Sequence, residues 1–135
     1  LFALALVLSL PGWGLSQQGF SQKDLAGAWL IKFANGSTWK MTFDSQGNLT
    51  SWENPRTEMR NPHGQIEVQA DGSIKGRLKG TYYSPQGQED VIMHLDLSGS
   101  FLSPDRIKVQ GAASRQKHEH FFSQGERFQC LWTRQ

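Results

Sequence analysis

Residues 117–122 read KHEHFF. On an extended chain alternate side chains share a face, so His118 and His120 would stand together there. Two imidazoles can grip one divalent ion, but a structural zinc site normally takes four ligands. His63, His94 or Asp96 would complete a set only if the fold brought them near, and their spacing does not show that. The pair therefore reads as two solvent-facing histidines on an edge strand, and no metal is assigned. Catalytic chemistry has little support either. No Gly-x-Ser-x-Gly elbow places a serine nucleophile, and the acidic residues sit on polar faces or in turns without forming a pair for acid–base work. No glycine-rich loop is present that would cradle a phosphate or a nucleotide cofactor. Cys130 lies in an apolar alternation, which does not suit an activated thiolate. No catalytic residue and no cofactor are assigned.

The apolar residues offer a different chemistry, that of binding. Trp39, Met41 and Phe43 alternate with Thr38, Lys40 and Thr42, and Tyr82, Met93 and Trp132 fall in similar alternations. If strands enclose a space, these six side chains line it, as in the mostly apolar pockets that hold small molecules. If the space is filled, the same residues form a core. Gly76, Gly80 and Gly111 stand among large residues on the inward faces; they would leave room inside or allow the strands to bend sharply. On the opposite face Lys75, Arg77 and Lys79 would attract an anionic partner or headgroup, or simply form a solvated outer surface.

The elements that must hold these residues are strands. Trp29, Ile31 and Phe33 share a face, and the Asn-Gly step at 35–36 closes a tight hairpin onto residues 38–43. DSQGN (44–48) turns the chain into Leu49–Trp52. ENPRTEMRNPHG (53–64) has two Asn-Pro steps and reads as the longest loop. It would expose Arg56, Met59, Arg60 and His63. Strands follow over 66–70, 74–83 and 91–97. SGSFLSPD (98–105) reads as a turn-rich connection, and strands over 107–113 and 121–132 close the chain. SQKDLAG (21–27) is the one helical candidate, a single turn capped by Ser21. Eight or nine short strands separated by turns indicate an all-β protein. An antiparallel up-and-down barrel is favoured, because closure removes exposed edges.

The chain has 135 residues, enough for one domain. Its opening, LFALALVLSLPGWGLS, carries no charge and has an apolar run of about ten residues. That is shorter than the roughly 20 residues of a membrane span and matches the core of a secretory signal. Gly14 and Ser16 stand at −3 and −1 of a cut before Gln17. The expected division is a signal peptide over 1–16 and a barrel over 17–135, with the mature protein secreted or periplasmic. Fourteen basic and twelve acidic residues give a net charge of +2, spread evenly. No basic stripe for nucleic acid results. A single cysteine excludes an intramolecular disulfide. Asn35-Gly-Ser and Asn48-Leu-Thr have the form of glycosylation sequons.

Two features at the chain ends carry a resemblance. A short helical turn leads into Gly27-x-Trp29 at the start of the first strand, and the chain ends FQCLWTRQ. This resembles the lipocalins and the wider calycin group, and in size the compact bacterial lipocalin-like domains. The resemblance implies that Trp29 packs at the closed end of the barrel, next to Gly27, with Arg134 from the last strand across its ring. Unlike classical lipocalins, the chain has no cysteine pair and no evident C-terminal helix. The resemblance also implies a binding protein, which would carry a small apolar ligand without transforming it. The alternative is a barrel that binds another protein, such as an inhibitor of a secreted hydrolase, through the 53–64 loop.

Overall fold

The computed structural model describes residues 19–135; the signal peptide expected over 1–16 lies outside them. Eight strands follow one 3-10 turn at Gln22–Leu25: β1 (Gly27–Phe33), β2 (Thr38–Phe43), β3 (Leu49–Glu53), β4 (Arg60–Val68), β5 (Ser73–Ser84), β6 (Glu89–Ser103), β7 (Arg106–Lys117) and β8 (His120–Arg134). All pairings are antiparallel, in the order β3-β2-β1-β8-β7-β6-β5-β4. Sequence neighbours are sheet neighbours, and the last strand pairs with the first. The result is a nearly closed, up-and-down barrel, consistent with a calycin-like fold. Among the described residues no helix is long and apolar enough to cross a membrane.

Alternation explains the barrel wall. Trp29, Ile31, Met41, Phe43, Leu78, Leu95, Leu97, Ile107, Val109 and Trp132 are all buried on its inner face, while Lys75, Arg77 and Lys79 are exposed on its outer face. Two of these outer cations face acids on adjacent strands. Lys75 pairs in register with Glu67, and Arg77 lies 3.9 Å from Asp96. Burying each large inner side chain contributes about 1.5–3 kcal/mol, so a one-residue slip of any strand would be costly.

Where β3 should meet β4 the ladder is missing. One isolated bridge joins Asn48 to Gln65, and the Ile66 N–H donates to the Gly47 carbonyl at 2.9 Å. Gln65 Nε2 donates across the seam to the Gln46 carbonyl at 2.9 Å, and a side chain from the 3-10 turn bridges the rest. Gln22 Nε2 donates to the carbonyls of Gln46 (2.7 Å) and Ile66 (2.9 Å), and its Oε1 accepts from the Val68 N–H. Gly47 permits the approach: its φ is +83°, and a Cβ there would stand 2.3 Å from the Ile66 carbonyl oxygen.

Two sequence expectations are corrected. Residues 60–63 belong to β4, not to a long loop. The register shifts between Arg60 and His63, and Asn61 has φ +52°. A bulge thus absorbs Pro62 on a strand whose other edge faces the seam, where its missing N–H breaks no ladder. Residues 98–103 continue β6, because Ser98 and Ser100 face outward and Gly99 admits the neighbouring backbone of β7 closely. Only residues 104–105 turn.

The strands differ in length. β1, β2 and β3 have 7, 6 and 5 residues; β5 to β8 have 12 to 15. One side of the barrel therefore stands about twice as tall as the other. At the short strands' base the barrel is sealed by the 3-10 turn. Ser21 caps it, with its N–H donating to Asp24 Oδ2 at 2.8 Å, and Phe20 stacks on Phe101 with centroids 4.6 Å apart. At the opposite end the short side leaves a notch.

Candidate functional site

The notch begins where β1 stops. β8 pairs with β1 only from Cys130 to Arg134, so its upper residues have no partner on that side. The β1–β2 turn and the 54–57 loop form the low rim; β5, β7 and β8 form the high wall. The recess between them has two open lobes that share Asn35, Ser37, Trp39, Met93 and Arg115. One, of about 670 Å³, lies between the 54–57 loop and Tyr82. The other, of about 890 Å³, lies between Phe33 and Phe128. Both volumes are within the roughly 300–1,000 Å³ typical of small-molecule sites.

Aromatic edges build the walls. Phe33 meets Trp39 edge-on at 4.6 Å and Phe128 edge-on at 5.8 Å, and Trp52 lies behind Trp39 at 5.2 Å. Phe33, Trp39, Tyr82 and Phe128 are half-buried, so each shows a face to the recess while anchored on the core. Of the six side chains expected to line a cavity, Trp39, Tyr82 and Met93 meet here. Met41, Phe43 and Trp132 lie deeper, packed in the core; Phe43 stacks on Trp132 at 5.6 Å.

The strand glycines do not open room at that depth. A Cβ on Gly80 would stand 2.8 Å from the Trp52 ring and 2.9 Å from the Met59 methyl group. A Cβ on Gly76 would stand 2.3 Å from the Gln65 carbonyl oxygen. The space left by the missing side chains is taken by an indole in one case and by a neighbouring strand in the other. Met59, expected to be exposed in a loop, is a buried core residue for the same reason.

One ion pair stands on the inner face of the recess. Arg115 continues the inward parity of Ile107, Val109, Gly111 and Ala113, and its Nη1 donates to Glu126 Oε1 at 2.8 Å. Burial works against the Arg115 charge. Its hydrogen bond to Glu126 and its interaction with Tyr82 outweigh that, so its pKa stands above the ordinary guanidinium value. Sequence reasoning stopped one step short of this residue, at Ala113; the same alternation extended by two positions finds it. Glu126 has the matching signal, two residues before Phe128 on β8. The arrangement can clasp an apolar body between aromatic edges and pair it with a charge.

The other candidates lie elsewhere. Arg134 places its guanidinium carbon 4.3 Å from the centre of the Trp29 ring at the sealed end, and Gly27, with φ +110°, runs close by. Trp29 Nε1 donates to the Leu25 carbonyl at 2.8 Å. His118 is not on a strand face with His120: it has φ +54° in the turn between β7 and β8, 3.4 Å from Glu89. No group of three or more metal-ligating side chains occurs among the described residues. Cys130 is buried in the core, which pushes its thiol up to about 11 despite an opposing interaction with Trp132. The N–H groups of Trp52 and Trp132 are buried with no protein acceptor.

Comparison of the chain with protein-family models, with curated proteins and with solved structures gives no match in any of the three.

Proposed function

We propose that this is an exported, lipocalin-like protein that binds a small, largely apolar molecule in the mouth of its barrel without transforming it. The observation that carries the reading is the recess itself. Four half-buried aromatic side chains, Phe33, Trp39, Tyr82 and Phe128, line the recess with Met93 at the end of the barrel opposite the 3-10 turn. Half-exposed aromatic edges around an apolar floor cost free energy in water, and a ligand that covers them recovers it. The uncharged, apolar opening of the sequence, with small residues at Gly14 and Ser16, supports export. The ligand sits above the core, not within it, because Trp29, Trp132 and their neighbours fill the barrel below.

Tryptophan fluorescence tests this directly. Titration with a panel of retinoids and fluorescent fatty acids should give saturable quenching and energy transfer from Trp39. Trp39→Phe should remove most of that response, whereas Trp29→Phe, at the sealed end, should keep it. A panel without any saturable response sinks the proposal. So does a response that survives loss of Trp39 and disappears with Trp29.

A further inference from the structure

Resting on that reading, we infer that the recess selects an organic carboxylate: an apolar or aromatic body bearing one carboxylate that takes the Arg115 guanidinium in place of Glu126. Among the residues lining the two lobes, Arg56, Arg115 and Arg127 face a single acid, Glu126. The surplus positive charge disfavours a cationic guest and favours an anionic one. The two partners of the inner ion pair are also unequal. The Arg115 side chain is 30% exposed and that of Glu126 63% exposed. The cation is the embedded member, and its partner stands towards water.

Glu126 occupies a place suited to exchange. It follows Gly125, whose φ is +66°, and the β8 register shifts between Ser123 and Glu126. The side chain is therefore set on a bulge, where a strand re-aims what it carries. Returning an exposed carboxylate to water costs little, because a solvated ion pair is worth little. A ligand carboxylate would replace one 2.8 Å charge-assisted bond by another. Its apolar body would then lie against Trp39 and Met93, which Glu126 cannot cover. The gain on binding comes from that body, and selectivity for the acid comes from Arg115.

The test compares acids with their own methyl esters. 2-Naphthoic acid and cis-parinaric acid, and the two esters, are titrated against the full-length protein and two variants by tryptophan quenching. The acids should bind severalfold more tightly than the esters, because a carboxylate covered by its own apolar body is less screened against Arg115 than the solvated Glu126 it displaces. Glu126→Gln should tighten the acids severalfold and leave the esters unchanged, since it removes the competing carboxylate. Arg115→Met should bring acid and ester to the same affinity. Equal binding of acid and ester by the unaltered protein overturns the carboxylate inference and leaves the recess reading standing. Binding of neither form overturns both. Should Arg115→Met not fold, Glu126→Gln still decides, because an unchanged acid affinity in that variant contradicts the exchange.

Discussion

Arg134 lies over the indole of Trp29, with 4.3 Å between guanidinium carbon and ring centroid, and the two residues are also direct partners in the β1–β8 ladder. The same guanidinium donates to the carbonyls of Asp24, Ala26 and Pro104 and to the Asp105 carboxylate, at 2.6–3.0 Å. One side chain therefore ties the 3-10 turn, the first strand, the β6–β7 turn and the last strand together. The sealed end is thereby a fixed base for the barrel.

Removing that tie should be costly. Arg134→Ala loses the ring contact and leaves three carbonyls without their donor, and we expect about 2–4 kcal/mol of destabilisation. Arg134→Lys keeps a charge over the indole but not the planar fork, so it should recover only part of the loss. Urea unfolding midpoints measure both. Ligand response at the distant recess should be unchanged in the folded fraction; a variant with unaltered stability would refute this account of the sealed end.

The seam between β3 and β4 should be the weak point of the wall. Gln22→Ala deprives the Val68 N–H and the Gln46 and Ile66 carbonyls of a partner, which we expect to cost about 1–3 kcal/mol. Gln22→Glu should cost at least as much, because it turns the two-fold donor into an acceptor facing two carbonyls. Amide hydrogen exchange should report the site: Val68 should exchange faster in Gln22→Ala, while amides in the β1–β8 ladder keep their protection. Uniform acceleration across both regions would mean that Gln22 does not act at the seam.

The barrel was legible where side-chain periodicity and turn chemistry agree. Trp29, Ile31 and Phe33, the Asn35-Gly36 turn, and Trp39, Met41 and Phe43 read directly as the β1–β2 hairpin. The legibility failed where one residue type masks another role. Asn61-Pro62 reads as a loop because proline is excluded from central strands, yet a bulge beside the seam accommodates it. His118 and His120 read as one strand face because alternation does not reveal that His118 itself takes a positive φ in the turn between β7 and β8. For the recess, parity reveals which side chains point inward but not their height in the barrel. Trp39 and Trp132 are indistinguishable in pattern; only the unequal strand lengths place one at the mouth and the other in the core. Arg115 was missed because a charge on an inward position looks like the end of a strand.

The glycines of β5 should not be replaceable. Gly80→Ala would put a methyl group 2.8 Å from the Trp52 ring and 2.9 Å from the Met59 methyl group. Both neighbours are buried, so relief requires repacking, and overpacking of this kind costs about 1–3 kcal/mol. Trp52 also supports Trp39 from behind, so displacement of its ring should shift the recess. We expect a lower urea midpoint and altered near-ultraviolet circular dichroism. A stabilised Gly80→Ala protein would mean that space remains between β5 and Trp52.

The thiol of Cys130 gives the fold an alkaline limit. Burial raises its pKa from an ordinary 9.0 to about 11. Below pH 9.0 the thiol is protonated in both folded and unfolded chains and adds no slope. Between 9.0 and about 11 the unfolded chain releases a proton that the folded chain retains, so deprotonation draws the equilibrium towards unfolding. Stability should fall across that window, and the slope from this group should end above it. Tyrosines and lysines titrate in the same range, so the measurement is a difference: unfolding free energy against pH for the protein and for Cys130→Ala. The variant should be less stable near neutral pH, from lost packing, and should lose less on going to alkaline pH. Native-state labelling by a thiol reagent should be slow in the same window and fast in urea. Parallel pH curves for the two proteins, or rapid labelling of the folded chain, would place Cys130 outside the core.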